Sequence, residues 1–546
     1  MSNDNQPDKK TGDGDDKKHD LCPKPPTIFA REATGLVKSL TALDLFNVAF
    51  GQVMPAVGIV FIVSFAAYAY TGSNMFYGFL LGIPIIGFGP ALLYALLSAA
   101  MPRSGGDYVY NSRAINPAIG FMSNFVFTVV VLGFIGTAAT LFPSEFFNVF
   151  LSTVGQVTNN SYLVSSSSWF ATQTGEAVTG TVMVVGIGLL TMYGRSVWKF
   201  MKVLFVLVMI GTVVNIVFLA ITPHSAFLNA FNSKYPGEYN TVISTAESQG
   251  WVPGFTAGAT VLSLVYVMAS FTGFNFSVYS GGEARKASRS LPISVIGSLI
   301  VGGLLFAFWA YGIYHVFGYN FYSAANYLYT AGKPLPFIPL VNYLFTLIPQ
   351  NPLVEILGAL AFGLAWLWLV PTDFIPIIRN MFAWSFDRVA PEKLSYVSEK
   401  THTPIYATLF TIIVGELLTL FFIYTSVSVA FANTEILLNI AFFVTSIAGI
   451  LFPFRVKDVF EQAPSFVKAK FMGFPVISIV GIYSAFIEAF LIYAGFANPL
   501  IGGAPASYPI AVGIVVLGFA IYYIAKWYRL RQGIDLTLVY KVLPPE

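Results

Sequence analysis

A single cysteine, Cys22, stands in 546 residues, so the chain cannot close an intrachain disulfide or build a cysteine-ligated metal site. Charge is also scarce. Asp, Glu, Lys and Arg make up 10% of the residues while apolar residues reach 56%, and the mean hydropathy is +0.71. Soluble globular domains do not carry that composition. The histidines, His19, His224, His315 and His402, fall in tails, loops or span ends and show no metal-ligand spacing. No nucleophile–base set appears, and Gly281-Gly282 lacks the lysine and spacing of a phosphate-binding loop. These absences argue against an enzyme, an ATP-driven pump, a metal site and any cofactor. The net charge of +3 implies no nucleic acid. An apolar secretory core within the first 30 residues is missing too.

What the chain does have is a series of long apolar runs. A span needs about 20 such residues, and runs of that kind occupy about 42–70, 75–101, 117–148, 177–193, 199–222, 256–282, 291–318, 353–383, 405–427, 431–451, 473–496 and 508–531. The expectation is an all-α polytopic membrane protein of twelve transmembrane helices embedded in a lipid bilayer. Residues 1–40 are polar, mixed in charge and proline-containing, and read as a disordered cytoplasmic tail. Residues 532–546 read as a cytoplasmic C-terminal tail. Lys and Arg accumulate in cytoplasmic loops, and with the N-terminus inside, all but Lys234 and Lys333 of the 29 cations fall on the inner side. Both termini are therefore expected in the cytoplasm. The outer segments 149–176, 223–255 and 319–352, rich in Ser, Asn, Thr and Tyr, read as surface loops, the first with a glycosylation acceptor pattern at Asn159.

Two of the twelve runs are interrupted. The first contains Gly51, Pro55 and Gly58, where proline removes an amide donor and glycine permits unusual dihedrals. The sixth reaches Ser270, Thr272, Gly273, Asn275 and Ser277 at a depth where a lipid-facing helix would carry Leu, Val and Phe. Unwound backbone there must face protein or a water-filled cavity. A continuous helix packed through its small polar face, or a proline kink, is the structural alternative. The interruptions lie five spans apart, which suggests two five-helix repeats of inverted topology, 41–222 and 256–451, followed by two trailing helices within 473–531.

The motifs around these breaks resemble the amino acid-polyamine-organocation transporter superfamily. After the second span, Pro102-Arg103-Ser104-Gly105-Gly106-Asp107-Tyr108-Val109-Tyr110 and then Gly120-Phe121 are similar to its P-x-x-GG-x-Y-x-Y loop and Gly-Phe pair. Gly273-Phe274, Glu283, Arg289 and Pro292 match its Gly-Phe break and E-x5-R-x2-P stretch, and Arg379, Asp387, Pro391 and Thr403-Pro404 its later landmarks. The chain departs from the family pattern in three places: no acidic residue stands from Ser73 to Gly106, Asn275 follows Gly-Phe where Glu is usual, and Met209 occupies the place of a fifth-span Lys. The resemblance implies a LeuT-like arrangement of five plus five helices and two more. It also implies an amino acid permease of the plasma membrane working by alternating access. A receptor or sensor that keeps the fold and moves nothing is the competing class.

On that reading the second half of the first helix begins near Pro55, Ala56, Val57, Gly58 and Ile59. Its unpaired amides and positive dipole end would take a substrate carboxylate. The carbonyls of Ala269, Ser270, Phe271, Thr272 and Gly273 would receive the ammonium, with Phe271 and Phe274 capping the pocket. Neither break carries a charge to pair with a charged side chain, so a neutral, apolar amino acid is expected. Of the intramembrane acids Glu145, Asp373, Glu416 and Glu488, Asp373 stands out between Pro371 and Pro376. Asp373, Thr372 and Asn275 are the candidates for coupling to H+ or Na+, a sodium ion being held between Phe50–Val53 and Thr372–Asp373.

Overall fold

The computed structural model describes residues 35–348, 351–425, 436–497, 505, 507–541 and 543–544. The predicted tail up to residue 34, with Cys22 and His19, lies outside them, as does the Ser426–Asn433 connection. Among the described residues the chain is helical apart from a two-stranded hairpin pairing Lys470–Phe471 with Phe474–Pro475. Among the described residues, twelve helices are long and apolar enough to cross a membrane: α1 Ala42–Ala69, α2 Met75–Ala100, α3 Pro117–Val157, α4 Gln173–Thr191, α5 Gly194–Ile221, α6 Ala257–Tyr279, α7 Ala287–Thr330, α8 Pro352–Phe386, α9 Ile405–Tyr424, α10 Ile436–Arg455, α11 Val476–Phe496 and α12 Ser507–Arg531. The protein is thus all-α and polytopic, as its apolar runs require.

Each of the first four helices touches the helix five places later: α1 meets α6, α2 lies along α7, α3 along α8 and α4 along α9, while α5 packs on α8 and α10 on α11. The buried core runs through these contacts, and α12 lies against α3 at the rim. Local chemistry sets the starts. Thr41 and Asp44 form a reciprocal capping box at the head of α1, where Asp44 also holds Lys202 of α5 at 2.6 Å. Just before α1, Ser39 and Leu40 donate their amides to the Glu283 carbonyl beyond α6, and Arg285 donates back to Leu40. The start of α1 and the chain beyond the end of α6 are thereby tied together.

The outer segments are not loops. They contain helices His224–Lys234, Glu238–Ser248, Tyr319–Thr330 and Val341–Leu347, and Ser161–Ser167 lies beyond an α3 that reaches Val157. The polar composition of 223–255 conceals an i, i+4, i+8 aromatic row of Phe227, Phe231 and Tyr235. Phe227 and Phe231 are buried against Phe317, Phe321 and Phe337, with ring centroids 4.8–4.9 Å apart at the closest pairs. Gly318, at φ +84°, redirects α7 into its last segment, Tyr319–Thr330, which belongs to this cap. Asn159 lies exposed on the same side. The C-terminal segment is docked as well: Tyr540 is buried, its hydroxyl 3.0 Å from that of Tyr108 and its ring under the Arg113 guanidinium at 4.9 Å.

Candidate functional site at two broken helices

Helix α1 breaks at one residue. Ala42–Val53 ends where Met54 takes a left-handed conformation, φ 46° and ψ 64°, and Pro55–Ala69 begins at once with proline in its first position. Proline there gives up an amide that has no helical partner anyway. The Met54 amide still reaches the Phe50 carbonyl, and the Gly58 amide reaches the Met54 carbonyl, each at 3.1 Å. Ala56 and Val57 are therefore the residues whose backbone amides open the second half-helix without a preceding helical carbonyl. The expected break between Gly51 and Gly58 narrows to Met54, and the two glycines serve contacts. A Cβ on Gly51 would lie 2.8 Å from Thr372 and Trp368 of α8, and one on Gly58 would lie 3.0 Å from Phe306 of α7. Ile59 is buried; the side chains of Pro55 and Val57 lie outside the description.

Helix α6 bends at Ser263 and stops at Phe271. Thr272 is extended, Gly273 has φ +108°, and the chain resumes as a tight 3-10 turn over Phe276–Tyr279. The carbonyls of Ala269, Phe271 and Gly273 are taken by the amides of Thr272, Phe274 and Phe276. Those of Ser270 and Thr272 are not used by these turns. The Ser270 hydroxyl donates to the Tyr266 carbonyl. Phe271 packs toward Phe79 and Phe306, and Phe274 against Tyr94 and Phe442, all in the core.

The two breaks touch. A Cβ on Gly273 would sit 2.3 Å from Cβ and Cγ of Gln52, so Gly273 exists here to admit that side chain. Gln52 in turn accepts a hydrogen bond from the Thr372 hydroxyl at 3.0 Å. The structure thus joins Gln52, Gly273 and Thr372 across α1, α6 and α8; Gln52 lies in the Phe50–Val53 stretch expected to offer carbonyls, and it is its side chain that makes the contact. Asp373 belongs elsewhere. It is fully buried and neither carboxylate oxygen has a hydrogen-bond partner among the described residues. Helical phase puts it about 100° round from Thr372 and, seven residues from Asn380, nearly in line with that residue. Asn380 donates to Thr128 of α3 at 2.9 Å. Thr372 faces α1, whereas Asp373 lies on the stripe that faces α3.

A second polar centre lies just inward. Asp107 heads the short helix Asp107–Ala114 and is fully buried. Its carboxylate accepts from Asn124 of α3 at 2.7 Å, from the Tyr279 hydroxyl beyond the α6 break at 2.9 Å, and from the Tyr94 hydroxyl of α2 at 3.0 Å. Asn275 donates to the Tyr279 oxygen at 3.2 Å, and Trp384 of α8 donates to Asn124 at 2.7 Å. Burial lifts the Asp107 carboxyl from an ordinary 3.8 to about 6, against the opposing pull of the Asn124, Tyr279 and Tyr94 donors. Asp107 lay inside the motif that carried the family resemblance, yet only the fold turns it inward.

Two buried ion pairs brace the same end. Arg379 grips Glu283 through both carboxylate oxygens, at 2.8 and 3.2 Å, and Arg113 grips Asp387 at 2.7 and 3.0 Å. Burial alone would lower the Arg113 pKa, but the Asp387 carboxylate more than offsets it and holds the group above its usual value. The Glu283–Arg379 pair borders a cavity of about 360 Å³ that is also lined by Ser39, Arg195, Lys400 and His402. On the opposite side, Ala56 and Val60 line a small cavity of about 60 Å³ together with Asn215, Trp309 and Glu355. The second half of α1 thus has one face toward this outer space and its broken end toward α6.

Residues 40–521 match the family described as amino acid permease. A relative, the vacuolar cationic amino acid transporter 8 of Arabidopsis thaliana, is 25% identical over 231 residues, covering 42% of this chain. That stretch spans 36% of the relative's own length.

Proposed function

The chain belongs to the amino acid permease family, and on that premise we propose that it is a secondary transporter of amino acids. It works by alternating access between two five-helix repeats, about 41–222 and 256–451, with two trailing helices within 473–531. The observation that carries this reading is the meeting of the two broken helices at Gln52 and Gly273. Breaks in α1 and α6 at one depth bring a positive half-helix end, at Ala56 and Val57, near the negative end of another, at Ser270 and Thr272. A zwitterion matches that pair of dipoles. Bulk at Gly273 and movement at Gln52 would then control whether the site opens.

The side chain recognised is neutral and apolar. No Asp, Glu, Lys or Arg stands in 50–59 or 269–275 to pair with a charged one. The Arabidopsis relative bears the name of a cationic transporter, so lysine and arginine are the competitors that matter most in the test. The driving ion is H+ or Na+, with Asp373, Thr372 and Asn275 as the residues that would sense it. The cation distribution supports both termini in the cytoplasm; the plasma membrane is the site proposed, although the relative's name places that protein in the vacuole. Counterflow of a labelled neutral amino acid in proteoliposomes is the deciding measurement. Saturable binding without flux for every amino acid tried would favour a sensor of the same fold, and strongest competition by arginine or lysine would overturn the substrate class.

A further inference from the structure

The centre at Asp107 has a directional property that the substrate site does not need. The groups around the carboxylate all donate to it: the side chains of Asn124, Tyr279 and Tyr94, and the Tyr108 amide. The line continues outward with the same polarity, since Tyr279 itself accepts from the amide nitrogen of Asn275. Such an arrangement suits an anion. A protonated carboxyl has no acceptor in it, so its proton must reverse at least one of these bonds. One route is open. Asn275 is fully buried and its amide oxygen has no hydrogen-bond partner among the described residues. If that amide turns over, Asp107 can donate to the Tyr279 oxygen and Tyr279 can donate to the Asn275 oxygen.

We propose that Asp107 is a proton-binding site for the coupled transport reaction, and that its protonation reverses the line Asp107–Tyr279–Asn275 and turns Asn275 beside the α6 break. The proton comes from water onto one carboxylate oxygen and returns to water when Asp107 ionises. Asn275 lies two residues past Gly273, so its rotation acts on the backbone that meets Gln52. This inference rests on the transporter reading and adds to it a place for the proton.

The groups facing Asp107 agree. From α2 comes Tyr94, from the chain beyond α6 Tyr279, and from its own helix Tyr110, whose hydroxyl has no hydrogen-bond partner among the described residues. Helix α3 presents only the neutral Asn124, and α10 presents Thr445, 3.2 Å from the Tyr94 hydroxyl. From α11, Glu488 interacts electrostatically with Tyr94 and is itself fully buried without a hydrogen-bond partner among the described residues. Arg113, the cation on the same short helix, is engaged by Asp387. No cation among the described residues bonds to Asp107, so a proton is the counter-charge left to it. Burial sets its titration near pH 6, within reach of a physiological proton gradient. Along α8, Trp384 and Asn380 bond to Asn124 and Thr128 on one face of α3, and Asp373 continues that stripe about two turns further out.

The test uses the full-length protein in proteoliposomes and compares wild type with Asp107→Asn, Tyr279→Phe and Tyr94→Phe. Two readouts are taken: accumulation of a labelled neutral amino acid under an imposed proton gradient, and counterflow with no gradient. Asp107→Asn and Tyr279→Phe should still give counterflow while accumulation falls to the equilibrium ratio. Tyr94→Phe removes one donor to the carboxylate but leaves the path to Asn275, so it should still accumulate, with its pH midpoint moved upward. Gradient-driven accumulation retained by Asp107→Asn or Tyr279→Phe overturns the proposal. So does equal loss in Tyr94→Phe and Tyr279→Phe, which would mark a merely structural network. A wild type without counterflow would count against the transport reading. In that event the infrared band of protonated carboxyl groups, titrated from pH 4 to 8, decides the proton site on its own. A component with its midpoint near 6 that vanishes in Asp107→Asn supports the site, and its absence from wild type removes it.

Discussion

Placing a methyl group on Gly273 tests the contact between the two breaks directly. The residue has φ +108°, a region that costs a residue with a Cβ about 1–3 kcal/mol. The new Cβ would also lie 2.3 Å from Cβ and Cγ of Gln52 and 3.2 Å from its carbonyl carbon. Forcing such overpacking into a filled core costs about 1–3 kcal/mol more. At about 1.4 kcal/mol per tenfold, even the lower half of that range, about 3 kcal/mol, lowers the population of this conformation by roughly a hundredfold. Gly273→Ala should therefore lower the thermal unfolding midpoint of the purified protein and slow amino acid exchange by a comparable factor. Removing Cβ and Cγ of the opposing residue, with Gln52→Gly in the same chain, takes away the clash and leaves the backbone strain. The double variant should recover about the steric share, 1–3 kcal/mol, in a double-mutant cycle. Wild-type melting and exchange in Gly273→Ala would refute the contact, and strict additivity of the two changes would refute its steric origin.

Other positions give independent tests. Asp387→Asn strands the Arg113 guanidinium, whose side chain is 3% exposed, and should cost about 3–5 kcal/mol, read as a lowered unfolding midpoint that Arg113→Met in the same chain partly restores. Asp107, raised from 3.8 to about 6 in the fold, holds a proton that the unfolded chain has released. Its share of stability is full below 3.8 and is lost as pH rises through about 6, a change of about 3 kcal/mol. Asp107→Asn should flatten the unfolding midpoint between pH 4 and 6, and an unchanged slope would show that another group titrates there. Gly58→Leu meets Phe306 of α7 and should cost about 1–3 kcal/mol together with substrate affinity, measured by ligand-dependent thermal shift. Phe306→Ala in the same chain should return part of both.

Twelve spans, their order and the place of both interruptions were legible in the sequence, because each is a local property. An apolar run of sufficient length must be a helix in lipid, and Gly51-Pro55-Gly58 and the polar Ser270–Ser277 stretch are interruptions visible along the chain. The outer cap was misread as loops because Ser, Asn and Thr dominate its composition, although the row Phe227, Phe231 and Tyr235 carried the helical signal. The local pattern could not say what each break would touch. Gln52 and Gly273 lie far apart in sequence, and so do Glu283 and Arg379, Arg113 and Asp387, and Asp107 and Tyr279. Along the sequence most of these stand as separate landmarks, Gln52 only within the Phe50–Val53 stretch, and Tyr279 not at all. Whether a glutamine fills a glycine's space, or a carboxylate loses its water and gathers three side-chain donors, depends on the direction in which helices pack. That direction follows from side chains meeting across the bundle, so only the tertiary structure could seat Gln52 over the α6 break and bury Asp107 beneath it.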